Sequence, residues 1–315
     1  MSSRFVLGRV AALAATLLVA SFVIYVALYL APGDPVTSLI GGTHASPSLV
    51  AQIRHEHHLD DPLFVGYARW LTSALHGDFG QSLVFRDGVG QLIGPRVGTT
   101  LLLVAYAAVL ILVTGIGLGI LAALRAGRLE TTIVVGTTVA MGAPTFVMAI
   151  ILIALFANNL GWFPVFGAGE GFGDRIWHLT LPAIALAFSY VAYVSQVTRA
   201  AVREELRGEY VETARSRGLP ERFVVRRHVL RNAMGPIANV SGLTVAGLIA
   251  GTVVAERAFG INGLGSLLVD AAARKDLAVV QAIALMMVAA FVVINTLVDL
   301  LSAALDPRLA QKAVA

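Results

Sequence analysis

Three patterns in this 315-residue chain gather side chains able to do chemistry. The first is "HEHH" at 55–58, which sets His55 and His58 on one helix face, with His57 beside them. Two imidazoles at that spacing can share a metal ion, but a stable site needs a third ligand, and none can be named. A solvated helix face is the better reading; no metal is expected there, and the role of the three histidines stays open. The second pattern is the scarcity of lysine: only Lys275 and Lys312 occur, and neither lies in the G-x-x-x-x-G-K-[ST] loop that cradles nucleotide phosphates. The chain is therefore not expected to be an enzyme that hydrolyses ATP by that route, nor to carry a cofactor of its own. Cysteine is absent, which removes disulfides, thiolate metal sites and a cysteine nucleophile.

The third pattern is "ETARSRGLPERFVVRRHVLRN" at 212–232, a dense basic stretch between apolar runs. Residues 199–231 hold nine Arg against five Glu, so the basic balance of the chain is local and does not describe a nucleic-acid-binding surface. The spacing predicts a helix from Arg199. Leu206, Tyr210 and Ala214 fall on one face, Arg199, Arg203 and Arg207 on another, and Glu205, Glu209 and Glu212 form an acidic line. Gly218 supplies a left-handed residue past the helix end, and Pro220 suits the first turn of the next helix. Glu221 stands at the positive end of that second helix, and the arginines follow toward its negative end. A solvated loop or a helix lying on anionic lipid accounts for the charge alone. A capped turn, mixed charge and a Tyr–Ala stripe suit insertion into a groove on a partner protein.

The elements that hold these residues are apolar. Mean hydropathy is +0.80, and charged residues make up 13%, about half the share of a soluble domain. A bilayer is the solvent such a chain calls for. Six runs are long enough to cross it, at 9–30, 98–124, 131–157, 178–198, 236–256 and 278–303. The first exceeds a signal-peptide core and has no clear cleavage site, so it reads as a retained helix. With both termini on the cytoplasmic side, that side holds fifteen of the Lys and Arg residues and the other side eight, the asymmetry that sets orientation. Residues 31–97 then form a long extracytoplasmic segment, and 199–235 an elbow on the cytoplasmic face. The glycines of "TGIGLGIL" fit close helix packing.

Polar groups inside the runs are few. Asp299 is the only acid clearly within one, near its cytoplasmic end, where a packing or interface role is the better reading. Glu256 ends the fifth run, and two roles stay open for it: capping the outer loop, or meeting substrate or a binding protein. Tyr190, Tyr193, Ser195 and Gln196 polarise the fourth run, as a water-lined path or as helix–helix hydrogen bonds. An ion-coupled secondary transporter would need ionisable groups near the midplane, and a membrane enzyme a cluster of nucleophile and base; neither is present.

"ETARSRG" at 212–218 resembles the E-A-A-x-x-x-G coupling motif of ABC-importer permeases, and "EYVETARSRGL…RRHVLRNAMGP" is closer still to the dipeptide/oligopeptide/nickel permease family. The similarity continues through "LAPGDP", "LDDPL", "HGDFGQS", "GWFPVFG", "LPAIAL", "GLGSLL" and "LDPRL". Thr213, Asn262, Ala278 and Gly98 depart from that pattern and bear on local loops. The resemblance implies an all-α integral membrane protein with the six-helix type I importer permease fold. It divides the chain into a first transmembrane helix (1–30), the extracytoplasmic segment (31–97), a permease core of five helices (98–303) and a cytoplasmic tail (304–315). It also implies a half-pore in a prokaryotic cell membrane, paired with a homologous second permease chain. Two ATP-binding subunits, which would bind the ATP and Mg, and an extracytoplasmic substrate-binding protein would complete the complex. Di- or oligopeptides are the implied cargo, with nickel or another small solute as the alternative. On this resemblance the elbow docks into the ATPase through Glu212, Ala214 and Gly218, with Tyr210, Thr213, Arg215 and Leu219 adjoining. Tyr190, Tyr193, Gln196, Glu256 and Asp299 are candidates for the translocation path or gate.

Overall fold

The computed structural model describes residues 3–30, 51, 61–82 and 84–305. His55, His57 and His58, and the tail from Asp306 with Arg308 and Lys312, lie outside the described residues, as do parts of the "LAPGDP", "LDDPL" and "LDPRL" stretches. The described chain is helical apart from one isolated bridge between Gln81 and Gly88. We number the helices α1 (Ser3–Tyr29), α2 (Leu63–Leu75), α3 (Val89–Leu124), α4 (Arg128–Met141) and α5 (Thr145–Asn159). They continue with α6 (Gly171–Leu206), α7 (Glu209–Ser216), α8 (Glu221–Ala258), α9 (Leu264–Ala273) and α10 (Leu277–Leu305). Helix α5 ends in a π-helical stretch, Ile153–Asn159, and α8 passes through a π turn at Val225–Val229.

Helix α6 is the centre of the bundle. Its Leu179, Leu181, Ala183, Leu186 and Val194 are buried together with Leu103, Ala107 and Ile111 of α3 and Leu248 and Ala255 of α8. The α3–α6 seam is close because two glycines let it be. A Cβ on Gly119 would sit 2.6 Å from the Ser195 carbonyl oxygen and from Thr198 Cβ, and one on Gly115 3.0 Å from Val194 Cβ, whereas Gly117 between them faces open space. The packing reading of "TGIGLGIL" therefore holds for alternate glycines, the spacing that puts them on one face. At the edge, α10 lies against α8 with Val298 over Gly242, and α1 packs on α10. Helix α2 joins α1 through Phe22, Phe64, Tyr25, Tyr67 and Trp70, and the Tyr67 hydroxyl lies 2.8 Å from Ser21 Oγ.

Among the described residues, five helices are long and apolar enough to cross a bilayer: α1, α3, α6, α8 and α10. The expected third run, 131–157, is a correction. It is not one helix but α4 and α5, bent by 104° across Gly142–Pro144. Pro144 cannot donate an amide hydrogen and pushes Ala143 out of the helical region, so the ladder stops there. Gly142 N and Ala143 N fall back to three-residue turns on Val139 O and Ala140 O. Hydropathy averaged across the run conceals this, since the break is itself apolar. With the bent pair taken as one crossing, the spans number up to six. The other spans outrun their apolar cores: 98–124 begins at Val89, and 178–198 extends over Gly171–Leu206.

Candidate coupling site

The basic stretch folds as an elbow at one end of the bundle. The predicted continuous helix from Arg199 to Ser216 is a second correction: α6 ends at Leu206, and α7 starts afresh at Glu209. Gly208 makes the corner, since a Cβ there would fall 2.6 Å from the Tyr210 ring and 3.2 Å from the Glu205 carbonyl oxygen. Past the corner, Val211 and Ala214 are buried against Val202 of α6 and Val224, Val229, Ala233 and Ile237 of α8. Leu206 packs on the same small core, so part of the predicted stripe survives the break. This core fixes α7 to the spans. Ala214 is thereby turned inward, and the close approach its small side chain permits is to this chain's own helices, not outward as expected.

The outward side of the elbow is polar. Glu212, Thr213, Arg215, Ser216, Arg217, Gly218 and Leu219 are all exposed. Helix α7 ends as its sequence requires: Gly218 has φ +76°, Leu219 N donates to Ala214 O at 3.3 Å, and Gly218 N donates to Arg215 O at 2.9 Å. That pair of reversed bonds is the Schellman closure. Arg215 then forks onto the Glu221 carboxylate, Nε to Oε2 at 3.0 Å and Nη2 to Oε1 at 2.5 Å, which ties α7 to the first turn of α8. The same contact raises the Arg215 guanidinium above its ordinary value. Tyr210 donates its hydroxyl to the Glu205 carboxylate across the Gly208 corner. Partial burial, and then that carboxylate, push the hydroxyl pKa above that of a free tyrosine.

Sequence reasoning missed Glu130. At the start of α4 it accepts from Arg199 Nε at 3.0 Å and from Arg203 Nη2 at 2.5 Å, holding two of the three arginines expected to share one helix face. A lone acid among Arg125 and Arg128, facing basic residues four apart, is the signal that was available.

The candidate path and gate residues do not converge. Gln196 donates to Thr137 Oγ1 at 3.2 Å and Thr138 Oγ1 at 3.0 Å on α4, a helix–helix bond. Tyr190 is half-buried, with its hydroxyl beside Gly247 of α8, and Tyr193 is exposed. Asp299 pairs with Arg9 of α1 at 2.8 Å, at the elbow end of the bundle, as a packing role requires. Glu256 lies at the opposite end and is fully buried. Its Oε1 accepts from Thr100 Oγ1 of α3 at 2.6 Å and its Oε2 from Ser266 N at 3.0 Å, while Leu264 N donates to Thr100 Oγ1 at 2.9 Å. A buried carboxylate thus closes the N-terminus of α9, where the helix dipole and free amides favour negative charge. The glycines of "GLGSLL" have a stated use here: a Cβ on Gly263 would lie 2.2 Å from the Glu256 carboxylate. Of the two roles left open for Glu256, capping is the one its contacts fill.

Residues 115–311 match the family model of the binding-protein-dependent transport system inner membrane component, and residues 2–103 match the N-terminal model of the same components. The glutathione transport system permease protein GsiC of Salmonella paratyphi A is 35% identical over 311 residues, 98% of this chain and 99% of that protein. A Brucella melitensis protein, named for a peptide transport system permease, is 37% identical over 312 residues, 98% and 99% of the two chains. Among solved structures, an inward-facing form of the MetNI methionine ABC transporter superposes with a TM-score of 0.55 at 17% identity, covering 68% of this chain and 96% of that one, a likeness of fold. Matched from its first span to its last, the chain belongs to the binding-protein-dependent transport system inner membrane components, the permeases of ABC importers.

Proposed function

We propose that this chain is one permease of an ATP-driven, binding-protein-dependent importer of di- or oligopeptides, with tripeptide-sized thiols such as glutathione inside the same class. The observation that carries this reading is end-to-end similarity to permeases named for glutathione and peptide transport. In this reading six spans cross the cytoplasmic membrane of a prokaryote, with α4 and α5 as one bent crossing and both termini inside. Residues 31–97 and α9 face outward, and the elbow at 199–235 faces the cytoplasm. The core of 98–303 and its counterpart in a homologous second permease enclose the path. Two ATP-binding subunits hold ATP and Mg, and an extracytoplasmic binding protein delivers cargo.

The elbow is the docking piece. Glu212, Thr213, Arg215, Gly218 and Leu219 form its outward face, Tyr210 braces the corner, and Ala214 seats it from beneath. A capped, internally packed elbow can transmit displacement because its own small core holds it to α6 and α8. ATP binding then biases the spans only through the difference in contacts the two ATPase states offer to that face. In the same reading Glu256 holds α9 at the outer mouth, and Tyr190 and Tyr193 are assigned to the path.

The test is ATP hydrolysis by the complex purified through a tag on this chain, with its binding protein present. The additions are a mixed dipeptide pool, reduced glutathione, or nickel. Stimulation by either of the first two supports the reading, stimulation by nickel alone moves the cargo to the metal branch, and absence of any co-purifying ATPase overturns it.

A further inference from the structure

Helix α4 is thinly packed. Thr137 is its only buried residue, and toward α3 it faces a cavity of about 370 Å³ lined by Leu110 and Thr114 of α3, Ile133 and Gly136 of α4, and Phe188 of α6. What holds it is a polar ladder on one side of α6. Ser189 Oγ donates to Ala143 O at 2.7 Å, Gln196 donates to Thr137 and Thr138, and Arg199 and Arg203 close on Glu130. Residues 189, 196, 199 and 203 fall within one stripe of an α-helix. The ladder runs from the elbow to the break in the third span, and its last rung satisfies the Ala143 carbonyl within that break, since Val147 N and Met148 N both turn to Pro144 O. Beyond the break, α5 belongs to the main core: Ala149, Leu152 and Ala157 are buried there with α6 and α8 residues.

Both halves of the bent span rest on α6, but differently: α4 through the polar ladder along residues 189–203, and α5 through apolar packing in the core shared with α8. Hydrogen bonds and charge-assisted pairs fix α4 to α6 in register. The only segment of the span without a helical ladder is Gly142–Pro144. We propose that α4 travels with the elbow as one body, with Glu130 the positioning residue that transmits the displacement, and that Gly142–Pro144 is the hinge that absorbs it. The inference rests on the coupling role proposed above and specifies which span the elbow drives. The groove between α4 and α3 is open on its outer side and not filled by this chain's own side chains.

This chain has no native cysteine, so paired labels on it can be read in the full complex once exposed cysteines of the partner subunits are replaced. Val135, Ile150 and Ala200 are exposed, so spin labels at Val135→Cys with Ile150→Cys span the break, and labels at Val135→Cys with Ala200→Cys span the ladder. Distances are read by electron–electron resonance in nucleotide-free complex and in complex trapped with ATP and vanadate. The 135–150 distance is expected to shift by several Å and the 135–200 distance to stay fixed. A fixed 135–150 distance, or a shift in 135–200, overturns the proposal. ATP turnover by the same samples reports the coupling role independently. A complex that hydrolyses ATP with an immobile break retains that role and loses the hinge. In the second arm, Glu130→Gln is expected to keep basal hydrolysis and lose stimulation by the binding protein about fivefold or more, and Glu130→Asp to recover it. Stimulation of Glu130→Gln equal to the unaltered chain removes Glu130 from the mechanism.

Discussion

At the residue scale, the side chains that matter most are acids whose partners lie far away in sequence. Glu256 accepts from a hydroxyl on α3 and from an amide on α9 while excluded from solvent. Removing a buried acceptor leaves its donors unpaired, and each unsatisfied group costs about 1–3 kcal/mol. Glu256→Ala is therefore expected to lower the apparent unfolding temperature of the detergent-purified chain clearly, and Glu256→Gln, which retains one accepting oxygen, by less. Glu256→Gln unfolding with the unaltered chain while Glu256→Ala falls would mean that the cap contributes nothing beyond side-chain volume. None of this pairing is visible in sequence, because Thr100 and Glu256 are brought together by helix packing and no local pattern relates them. Gly218 is the opposite case. Its left-handed φ is dictated by the turn between two helices, and "RGLP" announces it from chemistry within four residues.

At the scale of the element, what could be read from sequence depended on whether a helix was defined by its own residues or by its neighbours. Apolar length located α1, α3, α6, α8 and α10, because a continuous hydrophobic run is a property of one segment. The same measure joined α4 and α5 into a single span, since Gly142, Ala143 and Pro144 lower an averaged hydropathy too little to interrupt the run even as they end the helix. The corner at Gly208 was hidden in the same way, the charge pattern running on across a break that only steric space at Glu205 O and Tyr210 explains. The α3–α6 seam gives a sharp contrast of neighbours. Gly119→Ala places a methyl 2.6 Å from a carbonyl oxygen of α6, while Gly117→Ala meets nothing within 4 Å. The first is expected to cost about 1–3 kcal/mol through overpacking and the second to be silent. Thermal unfolding of the two purified variants side by side checks this, and equal shifts would show that the seam is looser than its geometry.

For the whole molecule, the two ends of the bundle are held in different ways. The elbow end is closed by exposed charge and a small apolar core, suited to a surface that meets a partner and lets go. The far end is closed by buried polar contacts: Glu256 under α9, and Asp276 receiving the Ser82 hydroxyl. Ser216 stands on the exposed side of α7, and Ser216→Cys would be the sole thiol of the chain. A cross-link from it to a co-expressed ATP-binding subunit is expected under nucleotide-free or ATP-bound conditions, and labelling only by water-soluble reagent in both would place the docking face elsewhere. The Glu256 lock also has a history. In chain order Thr100 precedes Glu256 by 156 residues, and Glu256 leaves the ribosome ahead of the amides of α9. For that interval the carboxylate has one partner and a helix end still to come. The order of translation thus leaves this end of the bundle open until α9 follows, so the lock closes only when α3, α8 and the start of α9 have come together.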